Sequence, residues 1–217
     1  MEHEFPEEIN NFVENLKYSV DKIGRSGDVV YIFENKYILK VSKDSQRLLR
    51  EKEKIDWISN YIKGPKSLIF IKNDTYNYYL RECLNGESLI SKRFIQNPIL
   101  LIDILCKIIK ILRNLDNIEC PFKSSESEGN DFVHGDLCLP NIFVNEKNEF
   151  IGFIDVENAG KGDKWYDYAW LLWSFEYNLK TNKYNQMLLN KLNINMDMDK
   201  YNKYIPIENI EELKINN

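Results

Sequence analysis

Hydrophobic and polar positions along this chain alternate between two periods. "EEINNFVENL" repeats at helical spacing, whereas "DVVYIFE" and "KYILKVS" are β-rich runs joined through Glu34–Asn35, a hairpin signature. "DSQRLLREKEKIDWISNYI" returns to helical spacing, with Asp44 or Ser45 as N-cap and "KGP" as its end. "KSLIFIKN" and "YNYYLRE" then predict a second hairpin around Asn73–Asp74. Strands, one helix and more strands before residue 82 imply a small antiparallel sheet with a helix packed on it.

"LNGESL" punctuates the chain, and the pattern then turns helical. A helix is predicted over residues 98–115, with Pro98 at its first position. "KSSESEGN" at 123–130 is a polar loop, and "NIFVN" and "FIGFIDVE" form a hairpin across "EKNE". "DKWYDYAWLLWSFEYNL" is a strong helix with Asp163 as N-cap, and the C-terminal segments read as helical. The expected fold class is α+β in two lobes meeting near residues 82–86. Residues 1–84 form a small antiparallel-sheet lobe and residues 85–217 a mainly helical one.

Composition narrows the function classes. A hydrophobic content of 43% and a charged content of 29% are those of an ordinary globular protein. A net charge of −5 argues against nucleic acid, whose phosphates need a basic surface, and would suit a cationic small molecule. The N-terminus lacks the basic and apolar segments of a signal peptide, and "PILLIDILCKIIKIL" is broken by Asp103, Lys107 and Lys110. A cytoplasmic protein without a membrane partner is therefore expected. Four cysteines without a CxxC pair and two histidines argue against zinc and for free thiols.

One acid sits in an unexpected place. Leu48, Glu51, Ile55, Ile58 and Ile62 are spaced to share one helical face, four aliphatic and one charged. An unpaired buried carboxylate is costly, so Glu51 either lies at the rim or meets a cation. Lys40, on the opposite face of its strand from Tyr37, Leu39 and Val41, is the candidate partner. A Lys–Glu pair of this kind would hold an ammonium toward a phosphate; the alternative is a solvated Glu51 within "REKEK". Gly24 and Gly27 in "IGRSGD" would let backbone amides approach an anion.

The stretch "FVHGDLCLPNIFVN" places His134, Asp136 and Asn141 among apolar neighbours. Phosphoryl transfer needs a base near the acceptor hydroxyl and oxygen ligands for metal ions that neutralise phosphates. Asp136 has the type and position for the base. Asn141 and Asp155, which ends the run "FIGFI" on the partner strand, are brought together by the hairpin and offer oxygens of the kind magnesium prefers. On the plainer reading, Asp136 is a turn residue after Gly135 and Asn141 a strand-end cap, and His134 is a packed loop anchor.

"HGDLCLPNIFV" followed by "GFIDVENAGKGDKWYDYAW" resembles the aminoglycoside phosphotransferase family, particularly the 3′-phosphotransferases, which share the two-lobed protein-kinase-like fold. The likeness is dense across residues 131–172 and sparser but in register across 23–122. It implies an ATP- or GTP-dependent, magnesium-dependent phosphotransferase acting on an alcohol group. Asp136 would be the catalytic base, and Asn141 and Asp155 the magnesium ligands. Lys40 would contact the nucleotide phosphates with Glu51 holding it, Ser26 and Gly27 would lie in the phosphate-covering loop, and Arg81 to Leu84, including Glu82 and Cys83, would face the adenine. Asp167 is similar to the aspartate that supports the family's catalytic loop, while Trp165, Tyr166 and Trp170 at helical spacing are read as core.

The sequence departs from the family between Cys120 and His134. Typical 3′-phosphotransferases carry extra helices there, with acids that grip the antibiotic's ammonium groups; here "KSSESEGN" spans the gap. Position 158 is Asn where close relatives carry arginine. Glu208, Glu211 and Glu212 near the C-terminus are candidates to meet a cationic acceptor. An aminoglycoside kinase, a kinase for another small alcohol, and a nucleotide-binding protein without turnover all remain open at this point.

Overall fold

Residues 5–21 and 28–216 are described by a computed structural model, in which the chain divides into two compact units, Met1–Asn85 and Gly86–Asn217. In the first, helix α1 (Glu7–Val13) precedes strands β1 (Tyr18–Asp21), β2 (Val29–Phe33) and β3 (Tyr37–Ser42). Helix α2 (Ser45–Ile58) and strands β4 (Ser67–Lys72) and β5 (Asn77–Glu82) follow. The strands form one antiparallel sheet in the order β1-β2-β3-β5-β4.

Alternation along the strands gives this sheet two different faces. Tyr31, Phe33, Leu39, Val41, Tyr78 and Leu80 point one way and pack on Phe5, Ile9 and Val13. The register Lys40↔Tyr79 puts Lys40 on the other face, toward α2. The hairpin between β2 and β3 turns at Glu34 and Asn35, whose φ angles of 47° and 55° are left-handed. Strand β1, which the sequence reading did not mark, is only four residues long, all of them exposed.

Helix α2 is capped by Asp44, whose carboxylate accepts from the Arg47 N–H at 3.1 Å. It ends at Ile58, four residues short of the predicted Ile62, because Ser59 caps it and "KGP" follows. The buried face is therefore Leu48, Glu51, Ile55 and Ile58, with Lys54 buried as well.

The second unit is mainly helical. Short strand β6 (Glu87–Ser88) and helix α3 (Lys92–Ile95) lead into α4 (Pro98–Arg113), which starts on proline and buries Leu101, Leu105, Ile108 and Leu112. Strand β7 (Asp131–Val133), hairpin β8–β9 (Ile142–Val144, Phe150–Phe153) and β10 (Gly160–Gly162) come next. Helices α5 (Lys164–Leu179), α6 (Asn185–Leu192), α7 (Met198–Tyr204) and α8 (Ile207–Asn216) complete it. β7 pairs with β10 and β6 with β8, and α5 packs against β7, α6, α7 and α8. Asp163 caps α5 by accepting from the Trp165 N–H at 3.0 Å. No helix among the described residues is long and apolar enough to cross a membrane, and all four cysteines are free thiols.

Candidate active site

The loop after β7 is held by α5. The carboxylate of Asp167, in the first turn of that helix, accepts the N–H groups of His134 at 2.8 Å and Gly135 at 3.0 Å. Asp167 is completely buried, and that burial pushes its carboxyl up to about 6 against the opposing pull of Arg113 and the two N–H donors. Arg113, at the end of α4, lies 3.7 Å from Asp167 and donates to the Phe132 carbonyl at 2.6 Å. It also pairs with Asp116 at 3.4 Å, and Asp116 accepts the Phe132 N–H at 2.9 Å. The strand leading into the loop is thus clamped on both sides.

Two features shape the loop itself. Gly135 has φ +83°, and a Cβ there would stand 2.5 Å from the Asn158 backbone, so only glycine fits. His134 Nδ1 accepts the Asp136 N–H at 3.2 Å, which fixes the ring as a neutral acceptor. Burial lowers the imidazole pKa to about 4, with the Asp155 charge pulling the other way, and the ring packs edge-on against Phe153, centroids 4.9 Å apart. His134 is a packed, neutral anchor.

The Asp136 carboxylate is half-buried and receives the Asn141 side-chain amide at 2.8 Å. Burial raises its pKa, hydrogen bonds from Cys138 and Asn141 lower it, and the Asp155 charge raises it again. Asn141 closes a 3-10 turn at Leu139–Asn141, whose ends are held by Ser174 and Ser88. The Ser174 hydroxyl accepts the Leu139 N–H at 3.0 Å, and the Ser88 hydroxyl donates to the Pro140 carbonyl at 2.9 Å.

Pairing of Ile142 with Phe153, and the Ile154 N–H donating to the Asn141 carbonyl at 3.0 Å, bring the end of β9 beside Asn141. Asp155 follows immediately, in a left-handed conformation with φ 55°. Asp136, Asn141 and Asp155 therefore converge. The Asn141 nitrogen is committed to Asp136, which leaves its amide oxygen as the group that could meet a cation, beside Asp155 in sequence position on the paired strand. Two oxygen ligands suit magnesium, which takes its remaining ligands from phosphates and water. No cluster of three or more His, Cys, Asp or Glu side chains able to hold a metal occurs among the described residues.

In the first unit, the Lys40 ammonium contacts both Glu51 oxygens at 2.8 Å, with Glu51 3% exposed. Glu51 therefore takes the paired alternative and not the solvated one. Ser26 and Gly27 lie outside the described residues. Glu82 is exposed and Cys83 half-buried; their N–H groups donate to the Lys66 carbonyl at 2.9 Å and the Lys36 carbonyl at 2.8 Å.

Sequence reasoning passed over Arg113, Asp116, Ser88 and Ser174. Each acts on partners distant in numbering, and no local pattern marks it. Trp165 and Tyr166 are buried as expected, while Trp170 is only half-buried.

The phosphotransferase enzyme family model matches residues 126–192, the segment containing Asp136, Asn141, Asp155 and Asp167. A probable aminoglycoside 3′-phosphotransferase of Lactococcus lactis is 25% identical over 83% of this chain and 84% of its own length. The aminoglycoside 3′-phosphotransferase of Enterococcus faecalis is 24% identical over 94% and 97%. That second alignment runs over 257 positions against a chain of 217, so the relative carries stretches with no counterpart here. Among solved structures, an aminoglycoside phosphotransferase from Streptomyces rimosus superposes with a TM-score of 0.76 at 16% identity, covering 95% of this chain and 96% of that one. The fold is accordingly that of the kinase-like aminoglycoside phosphotransferases, with the antiparallel-sheet and helical parts expected. Family match, near-full-length relatives and shared fold agree: the chain resembles the phosphotransferase enzyme family over residues 126–192, is similar along most of its length to aminoglycoside 3′-phosphotransferases, and has their kinase-like fold.

Proposed function

We propose that the chain is a small-molecule kinase that transfers the terminal phosphate of ATP or GTP to a hydroxyl of an aminoglycoside-type acceptor. The observation that carries this reading is the convergence of Asp136, Asn141 and Asp155 on a loop locked from behind by Asp167. Relatives named aminoglycoside 3′-phosphotransferases, and the Streptomyces rimosus structure in complex with ADP and streptomycin, support the nucleotide and acceptor classes.

In this mechanism the acceptor oxygen attacks the terminal phosphorus, the bond to the bridging oxygen breaks, and the hydroxyl proton passes to the Asp136 carboxylate. Asn141 holds that carboxylate in place. Asn141 and Asp155 would hold magnesium, which when bound neutralises phosphate charge. Lys40, pinned by Glu51, supplies a cation for the nucleotide phosphates. Ser26, Gly27, Glu82 and Cys83 complete the assignment on the nucleotide side.

A coupled ADP-release assay with kanamycin, neomycin, choline, simple sugars and no acceptor tests the proposal. Acceptor-dependent release that Asp136→Asn removes is the expected result. Nucleotide binding without release on any acceptor would overturn it.

A further inference from the structure

Arg81, near the end of β5, is 3% exposed and has no carboxylate partner among the described residues. Alternation along β5 puts it on the same face of the sheet as Tyr79, and the register Lys40↔Tyr79 makes that the face of Lys40. The guanidinium's hydrogen-bond partner among the described residues is the Glu82 carbonyl, 3.2 Å from Nη1, while the buried Nε has none. Two acids, Glu51 and Asp56, are close enough for their charge to reach Tyr79, and both are already taken. Lys40 contacts both Glu51 oxygens at 2.8 Å, and Lys52 holds Asp56 at 2.7 Å. The Tyr79 and Ser67 hydroxyls pair with each other at 2.8 Å.

A buried guanidinium without an anion is costly, so an acceptor arriving with a ligand offsets more here than at an exposed arginine. Arg81 also opens the run Arg81–Leu84 assigned to the nucleotide base, where the Glu82 and Cys83 N–H groups are committed to the Lys66 and Lys36 carbonyls. A guanidinium offers donors only. Guanine presents two acceptors on one edge, O6 and N7, which match the guanidinium fork, whereas adenine presents N7 beside an amino donor. The neighbouring Glu82 carbonyl, a possible acceptor for that amino group, already receives Arg81 Nη1.

We infer that Arg81 reads the 6- and 7-positions of the purine and makes the nucleotide site selective for GTP over ATP. The inference deepens the kinase reading and rests on it for placing a base beside the end of β5.

Calorimetric titration of the full chain with Mg–GTP, Mg–ITP and Mg–ATP, without acceptor, tests it; the inosine nucleotide keeps O6 and N7 and lacks the 2-amino group. GTP and ITP should each bind roughly tenfold tighter than ATP, the discrimination of one bidentate arginine contact. Arg81→Met should remove that preference by weakening GTP and ITP alone. Arg81→Gln, whose amide can pair with N7 and the amino group of adenine, should turn the preference toward ATP. The wild-type ranking of the three nucleotides tests the inference even if a variant fails to fold. Equal affinity for GTP and ATP, a GTP preference that ITP does not share, or a preference that survives Arg81→Met would overturn it. So would equal losses for all three nucleotides in Arg81→Met, which would put the guanidinium on the phosphates. An Arg81-dependent GTP preference without phosphate transfer to any acceptor would leave the base selectivity standing and remove the kinase reading. Acceptor-dependent turnover with no preference between ATP and GTP would do the reverse.

Discussion

The Asn141 side-chain nitrogen lies 2.8 Å from the Asp136 carboxylate and 3.0 Å from the Asp136 carbonyl, so one amide grips both ends of the same residue. This double contact fixes the aspartate's rotamer and determines which way the asparagine oxygen faces. One interaction thus orients both the side chain proposed as proton acceptor and the one proposed as metal ligand, which is the kind of preorganisation that positions reacting groups.

Asp136→Asn should keep nucleotide binding and lower kcat by roughly 10²–10⁴-fold, the range for loss of a general base. Steady-state ADP release measures it, and unchanged kcat would remove Asp136 from the proton transfer. Because burial raises the Asp136 pKa, activity on the acid side should fade at a higher pH than an exposed aspartate would give.

Asp155→Ala should abolish the magnesium-dependent part of nucleotide binding. Mg–ATP at a hundredfold excess over Kd stabilises a binding protein by about 3 kcal/mol. Thermal unfolding with and without Mg–ATP should show that gain in the wild type and not in the variant; equal gains would refute the metal assignment.

Lys40 and Glu51 are separable from simple packing by a paired test. Glu51→Ala removes both carboxylate contacts from a largely buried ammonium and should cost about 3 kcal/mol in urea unfolding. Replacing both residues together, Lys40→Met with Glu51→Leu, should restore most of that stability while nucleotide affinity stays low. Recovery of affinity along with stability would make the pair structural only.

Asp167→Ala leaves the His134 and Gly135 N–H groups buried without an acceptor and should destabilise the protein by about 2–4 kcal/mol. Its kcat should fall as well, because Asp136 sits on the loop those two bonds anchor. Full kcat in the folded fraction would show that the loop holds its shape without them.

His134 sets a pH dependence of known sign. In the unfolded chain it takes up a proton near 6.5, whereas in the folded protein it does so only near 4. Stability from this group is complete above 6.5 and is lost as the pH falls from there toward 4. Asp167 opposes it: its folded pKa is raised from 3.8 to about 6, so its contribution is complete below 3.8 and declines as the pH rises through that window. NMR titration should find the His134 imidazole neutral at pH 5; a charged ring there would contradict the buried geometry.

Local chemistry made much of this protein legible from its sequence. Glu34–Asn35 marked a turn as a polar pair between two β-rich runs, Asp44 and Asp163 marked helix starts, and Pro98 opened α4. The spacing of Leu48, Glu51, Ile55 and Ile58 exposed an acid on an apolar face, and cost alone pointed to Lys40. These signals act within a few residues or across one strand pairing.

Tertiary structure decided what no short window contains. Asp167 reaches back across 33 residues to His134, and Ser88 reaches 52 residues forward to Pro140. Arg113 and Asp116 clamp Phe132 from a helix end whose own periodicity says nothing about that strand. A cavity lined by residues 120–130 was invisible for the same reason, since a polar loop has no hydrophobic period and its shape comes from the elements it packs against. Periodicity and turn chemistry record what a segment does with its own backbone, whereas hydrogen bonds between distant segments exist only once the chain has folded.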